Sequence, residues 1–269
     1  MSHQKLLFLL LFCASVLQAQ SAAARPKFEA FEVASIKPAA GETKGRFIRM
    51  QSANRFYARN HTLKTLIEAA YNLSPKAVSG GPSWFDSDRY EILAKTPGDV
   101  RPDLDEQMAM LRQLLADRFQ LKFHREEKEF SLYALTVAKG GPKFKESTIS
   151  LDAAPEGPPA LVFVLGPDGI SCPGRSATIA ELASILQRAA LELPVVDKTG
   201  LTGRYDFDLK WTPDETQFGG EAVKIPGAKD SDKADLFTAL QQQLGLKLQA
   251  AKGPLLALVV DHAEKPSEN

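Results

Sequence analysis

Asp197-Lys198-Thr199-Gly200 sets a carboxylate beside an ammonium and a hydroxyl. An aspartate so placed can accept a phosphoryl group, provided Mg²⁺-binding carboxylates, a second lysine and a nucleotide site surround the transferred group. Those parts are missing here. Leu201 stands where phosphate-accepting aspartates are followed by a second threonine, and no Gly-Asp-Gly-x-x-Asn-Asp segment comes later. In the internal alignment described below, Asp197 falls opposite Pro82, so the position does not require a carboxylate. Asp can bond its own backbone two residues on, and Gly200 and Gly203 admit positive φ. The segment 197–203 therefore reads as a turn.

Other chemistry is equally sparse. No G-x-S-x-G occurs, and the one S-x-x-K runs from Ser2 to Lys5. Ser83 lies near Trp84 and Asp86 without a histidine beside it in sequence. Beyond the leader the histidines are His61, His124 and His262, with no H-E-x-x-H or Cys/His ligand spacing. His61 precedes a helix start and His124 ends a strand, which suits surface or cap positions. Cys172 has no His or acidic neighbour and reads as a buried structural thiol. Asp86 and Asp88 form a carboxylate pair, more simply read as a solvated loop. No P-loop or G-x-G-x-x-G is present. No catalytic, cofactor-binding or metal-binding residue is assigned.

The elements that must position any site come next. The chain has 269 residues, with 33 Lys+Arg against 33 Asp+Glu. This balance gives no electrostatic case for nucleic acid or an anionic membrane surface, and there is no basic tail and no arginine–aromatic platform. Met1 to Ala24 reads as a signal peptide: a weakly positive start, an apolar stretch from Leu6 to Leu17, then small residues. That stretch is short for a bilayer span. Cleavage is placed near Ala19 to Ala24, leaving no membrane span and a periplasmic or secreted protein. With Cys13 in the leader, Cys172 has no partner for an internal disulfide.

The rest of the chain is written twice. Phe56–Leu73 matches Ile170–Ala189, with Thr62 opposite Thr178. Leu63, Leu66, Ile67 and Ala70 share a phase with Ile179, Leu182, Ala183 and Leu186, the spacing of one buried helical face. Thr178 and Glu181 form a capping box. Asp88–Lys95 matches Gly203–Lys210, pairing Arg89 with Arg204, and both segments alternate as strands do. Met110–Phe123 matches Asp235–Leu248, each a helix running into a strand. Phe130–Lys139 matches Gly253–His262, both apolar strands. Each copy reads strand, helix, strand, strand, helix, strand, strand.

The expected organisation is a first repeat over 28–144 with an added N-terminal strand (Phe28–Ala39), a linker over 145–160, a second repeat over 161–263, and a tail over 264–269. Segment 212–235 is expected to be an exposed, mobile insertion. His124–Phe130 reads as a solvated hairpin. Trp84 and Phe85 sit in a loop, where large aromatics can anchor a partner. The competing reading packs them on the Tyr90 strand.

FEVASIKP, GGPSWFDSDRYEI, ADRFQLKFHREEKEFSLYALTVAKGGPK, PVVDKTGLTGRYDF and LFTALQQQLGLKLQAAKGP resemble an acidobacterial family of exported proteins of unknown function. Some relatives resemble the outer part of antirepressor-type membrane metallopeptidases, which implies envelope sensing. Each copy, with its apolar helix, turn, strand and second helix followed by Gly245–Leu248 or its counterpart, also resembles the short N-terminal domain of secretins and TonB-dependent transducers. That resemblance implies a small βαβ-βαβ module that binds protein segments, partly by strand pairing.

The expectation is an α+β protein: two tandem βαβ-βαβ-like repeats, helices packed on small mixed sheets. The function expected is a non-enzymatic interaction or sensing module that binds an envelope protein, a peptide segment or another envelope ligand on a sheet edge or in the groove between the repeats. Trp84, Phe85, Asp86, Arg89 and Arg204 are its candidate binding residues. The alternatives are a hydrolase whose site assembles only in space, and a sensory ectodomain beside a membrane protease.

Overall fold

A computed structural model describes residues 25–40, 45–149, 160–220 and 222–266. The expected signal peptide, most of the expected linker and the last residues of the tail lie outside them.

The fold is α+β, built from three four-stranded sheets. The first half runs β1 (Val33–Pro38), β2 (Phe47–Ser52), β3 (Arg55–Thr62), α1 (Leu63–Ala70), β4 (Val78–Gly80), β5 (Arg89–Lys95), α2 (Leu104–Arg118) and β6 (Lys122–Val137). The second half repeats that order. It runs β7 (Lys145–Glu146), β8 (Val164–Gly166), β9 (Gly169–Ala177), α3 (Ile179–Ile185), β10 (Val195–Asp197), β11 (Tyr205–Trp211), α4 (Leu236–Ala239) and β12 (Leu246–His262). The sheet order β1-β5-β3-β2 is reproduced as β7-β11-β9-β8. The equivalence therefore starts at β1. The strand expected to be an addition has a counterpart in β7, at the start of the segment read as a linker.

The helices form where the periodicity places them. Leu63, Leu66, Ile67 and Ala70 are buried, as are Ile179, Leu182, Ala183 and Leu186. Thr62 caps α1, accepting from the Thr65 amide, and Asp103 and Glu106 cap α2 reciprocally. Thr178 and Glu181 do the same for α3, the side chain of each accepting from the other's amide at 3.1 and 2.7 Å. Both helices of the second half widen into π-type turns, at 186–190 and 240–244.

The two halves are joined by exchange. β6 and β12 pair antiparallel along almost their whole length, from Lys122–His262 to Val137–Leu246. At its far end β12 pairs in parallel with β4 of the first half, Leu258 opposite Val78. The far end of β6 does the same with β10 of the second half, Tyr133 opposite Val195. Leu258 and Val260 consequently lie in the first core, and Leu135 lies in the second. Glu129 and Pro254, equally distant from the matched Leu121 and Leu246, pair with each other, and the pairing pattern is two-fold about them. A second seam is polar. Asn72 donates to Ser184 Oγ at 2.8 Å, and buried Gln187 bridges Asn72 O and the Val195 amide at 2.9 and 3.1 Å.

Several expectations are corrected. Each pair of closing strands is one continuous strand, so His124–Phe130 is mid-strand and not a hairpin. Its charges are exposed because this stretch spans between cores. The 212–235 segment is not exposed throughout. Gln217 accepts from buried Trp211 Nε1 at 2.7 Å, Phe218 stacks on Trp211, and Ala222 and Ala228 are buried. The parallel pairings align Asp197 with Gly80, not Pro82.

Candidate functional site

The residues singled out from sequence separate into structural and surface groups. Phe85 is buried in the first core and its carbonyl accepts from the Lys64 amide, so it anchors the fold and not a ligand. Trp84 is half-buried, edge-on to Tyr90, with Lys265 over its ring at 5.8 Å. The Tyr90 packing thus holds. Asp86 pairs with Lys64 at 3.3 Å and Asp88 with Lys265 at 2.6 Å. Arg89 and Arg204 perform the same task in both halves. Strands β3 and β9 each bulge at a left-handed residue, Asn60 at φ 59° and Ser176 at φ 54°. Arg89 donates to Asn60 O at 3.3 Å, and Arg204 to Ser176 O at 2.8 Å. Both arginines therefore brace a bulge. The five do not converge on one site.

Asp197 Oδ1 accepts from the Thr199 amide at 2.9 Å and from its hydroxyl at 2.7 Å, a closed Asx turn. Cys172 is fully buried, and burial pushes its thiol up to about 12. Among the described residues, no three His, Cys, Asp or Glu side chains group as metal ligands would.

Two ionisable groups beside α1 escaped the sequence reading. His61, expected at a surface or cap position, is only 6% exposed. Its Nδ1 lies 3.2 Å from Thr65 Oγ1, and its buried Nε2 has no bonded partner among the described residues. Burial, then the nearby Arg46 charge, pushes its pKa down to about 3, so the ring is neutral. Glu68, two turns along the same side, is also 6% exposed. Burial pushes its carboxyl up to about 7, opposed by Arg46 and Lys64.

The other feature is a face. In sheet β1-β5-β3-β2, Ile36, Met50, Phe56, Ala58, Ile92 and Ala94 point into the core. The alternate residues form an outer face covered by no other element among the described residues. Cross-strand register aligns Ser35, Leu93, Tyr57 and Arg49 in one row, and Val33, Lys95 and Arg55 in the next. Val33 and Leu93 are 67% and 44% exposed. Phe47 meets Tyr57 edge-on at 5.5 Å, and Arg49 covers Phe47 at 4.6 Å. Glu91 accepts from Tyr57 Oη at 3.3 Å and faces Arg59 at 3.6 Å. A shallow groove of about 360 Å³ crosses the face, with Leu93 and Tyr57 as its apolar part and Ser35, Lys37, Gln51 and Glu91 around them.

This is the arginine–aromatic surface that the sequence did not disclose. Its members are spread over four strands, and balanced net charge conceals a local excess. One signal was available: in RFYAR, alternate positions 55, 57 and 59 are Arg, Tyr, Arg.

Comparison with known proteins places the chain in a family. It belongs to DUF3738, a protein family of unknown function, which matches residues 64–263. No curated protein and no solved structure matches the chain.

Proposed function

We propose that this DUF3738 protein is an exported interaction or sensing module, periplasmic or secreted, whose two halves are copies of one unit and which binds a segment of an envelope protein. The observation that carries the reading is the open outer face of β1-β5-β3-β2, with exposed Val33 and Leu93 beside Arg49 and Arg55, which have no carboxylate within ion-pair distance among the described residues. Isolated exposed apolar side chains are ordinary, but grouped beside a groove and rimmed by charge they mark a docking surface. The leader-like first 24 residues support export, and the resemblance of each half to the secretin/TonB short N-terminal domain supports a protein segment as ligand. The role is non-enzymatic.

The test is site-specific crosslinking in the cell envelope. A photo-crosslinking residue replaces Ser35 in the groove or, as control, Ser171 on the equivalent face of the second half. A partner captured from Ser35, absent from Ser171 and lost on Leu93→Asp supports the reading. Capture independent of position or of Leu93 refutes it.

A hydrolase with a spatially assembled site is the second reading. The shifted pKa values of His61 and Glu68 favour it, since such shifts cluster at functional sites. Catalysis on any envelope substrate that vanishes in Glu68→Gln, with the fold intact, would establish it over the first.

A further inference from the structure

We propose that the occupant of this outer face is an acidic protein segment that places an apolar side chain in the groove over Leu93 and carboxylates against Arg49, Arg55 and Lys37. The inference rests on the binding reading above and specifies its ligand.

The charge is the first argument. Lys37, Arg49 and Arg55 are exposed, and none has a carboxylate within ion-pair distance among the described residues. The face's own acid, Glu91, is already engaged by Tyr57 and Arg59, and Lys95 is paired with Glu32 at 2.6 Å. Among the described residues, three cations of this face thus have no ion-pair partner, in a chain whose net charge is zero. Arginine presents a planar fork suited to carboxylates.

The second half supplies an internal control. Register makes Arg55–Lys95 equivalent to Ser171–Lys210, and Tyr57–Leu93 equivalent to Pro173–Asp208. The same architecture therefore stands with serine, proline and aspartate where the first half has arginine, tyrosine and leucine. There Arg175 is neutralised by Asp208 at 2.9 Å. A structural need for Arg55 and Tyr57 would recur in both halves, and it does not; the cations that recur, Lys210 and Arg175, match Lys95 and Arg59, which are already paired in the first half.

The geometry disfavours other anions. Phe47 is covered by Arg49 and meets Tyr57 edge-on, so the pair offers no open stacked platform of the kind single-stranded nucleic acid uses. A concave groove of about 360 Å³, the size of the smallest ligand pockets, takes a side chain better than a flat lipid surface.

The probe is a labelled synthetic peptide of about ten residues, glutamate-rich with one central phenylalanine, the length of a short docking segment. Fluorescence anisotropy is measured on the chain from residue 25 onward. Wild type should bind it in a salt-sensitive manner. A peptide with glutamine for every glutamate should bind roughly tenfold more weakly, through loss of complementary charge. Arg55→Ser with Leu93→Asp should abolish binding while leaving the circular dichroism unchanged, because the second half already carries those residues at the equivalent positions. Equal binding of the two peptides overturns the proposal. So does binding of a single-stranded oligonucleotide or phosphatidylglycerol vesicles in place of the peptide. If an envelope partner crosslinks from Ser35 but the acidic peptide does not bind, the ligand chemistry is wrong and the docking reading stands. If neither occurs, both fail.

Discussion

Truncation of one leucine tests the strand exchange. Leu258 lies on β12, late in the second half of the sequence, yet its fully buried side chain belongs to the first core. It faces Val78 on one side and Arg125 on the other. Leu258→Ala removes three carbons and leaves a cavity walled by two strands that cannot collapse freely. Such truncations cost about 2–5 kcal/mol. In a domain of this size each kcal/mol lowers the melting temperature by about 2–4 °C, so a drop of roughly 5–15 °C is expected. The assay uses the two tryptophans, which fall one to each half: Trp84 beside Tyr90, and buried Trp211. Urea unfolding is followed by fluorescence in Trp84→Phe and Trp211→Phe backgrounds, each with and without Leu258→Ala. Both reporters should lose stability together, since the β6–β12 pairing couples the halves. The mirror variant Leu135→Ala should behave alike from the other side. If the Trp84 transition is unmoved by Leu258→Ala, β12 does not complete the first core and the exchange argument fails.

Four further outcomes are expected. Glu68 has its folded pKa raised from 4.5 to about 7, so the native state holds a proton that the unfolded state releases. Its contribution is complete below pH 4.5 and is lost as pH rises through 7, a change of about 3 kcal/mol at most; Glu68→Gln should remove that loss from a melting-temperature–pH profile. His61 acts oppositely. Its folded pKa is lowered from 6.5 to about 3, so stability falls as pH drops through that window, and a Glu68→Gln profile should expose this acid limb undiluted. Asp197→Asn keeps an acceptor for the Thr199 amide and should shift stability by less than about 1 kcal/mol, whereas Arg204→Ala unpairs the Ser176 carbonyl and should cost about 1–3 kcal/mol in denaturant unfolding.

Local features were legible in the sequence. The apolar phase of Leu63, Leu66, Ile67 and Ala70, the Thr178–Glu181 box and the Asp197 turn depend on neighbours within a few positions, and each is found as expected. The succession of helices and strands was legible from β3 to α2 and from β9 to α4. The continuity of β6 was not, because Arg125–Glu129 bridge two cores with both faces wet, and a strand without a buried face loses its period-two pattern. Strand β7, two residues long, has too little sequence to show. The burial of His61 depends on segments that the chain brings together from a distance. The candidate face was hidden for a related reason. Its rows run across strands, so Leu93, Tyr57 and Arg49 are neighbours only once the register is set.

The far end of β12 has a consequence in time. A polypeptide leaves a ribosome or a translocation pore N-terminus first. The first core needs Leu258 and Val260, so most of the chain must emerge before either hydrophobic centre can close. The pairing of Lys122 with His262 spans more than half the length of the molecule, and such distant contacts are slow to form. Until then α1 and α2 lack the strand that seals them, and the nascent first half stays open, accessible to chaperones and to any machinery that handles only unfolded polypeptide. Emergence of β12, rather than completion of the first half, is the event that starts the final folding step.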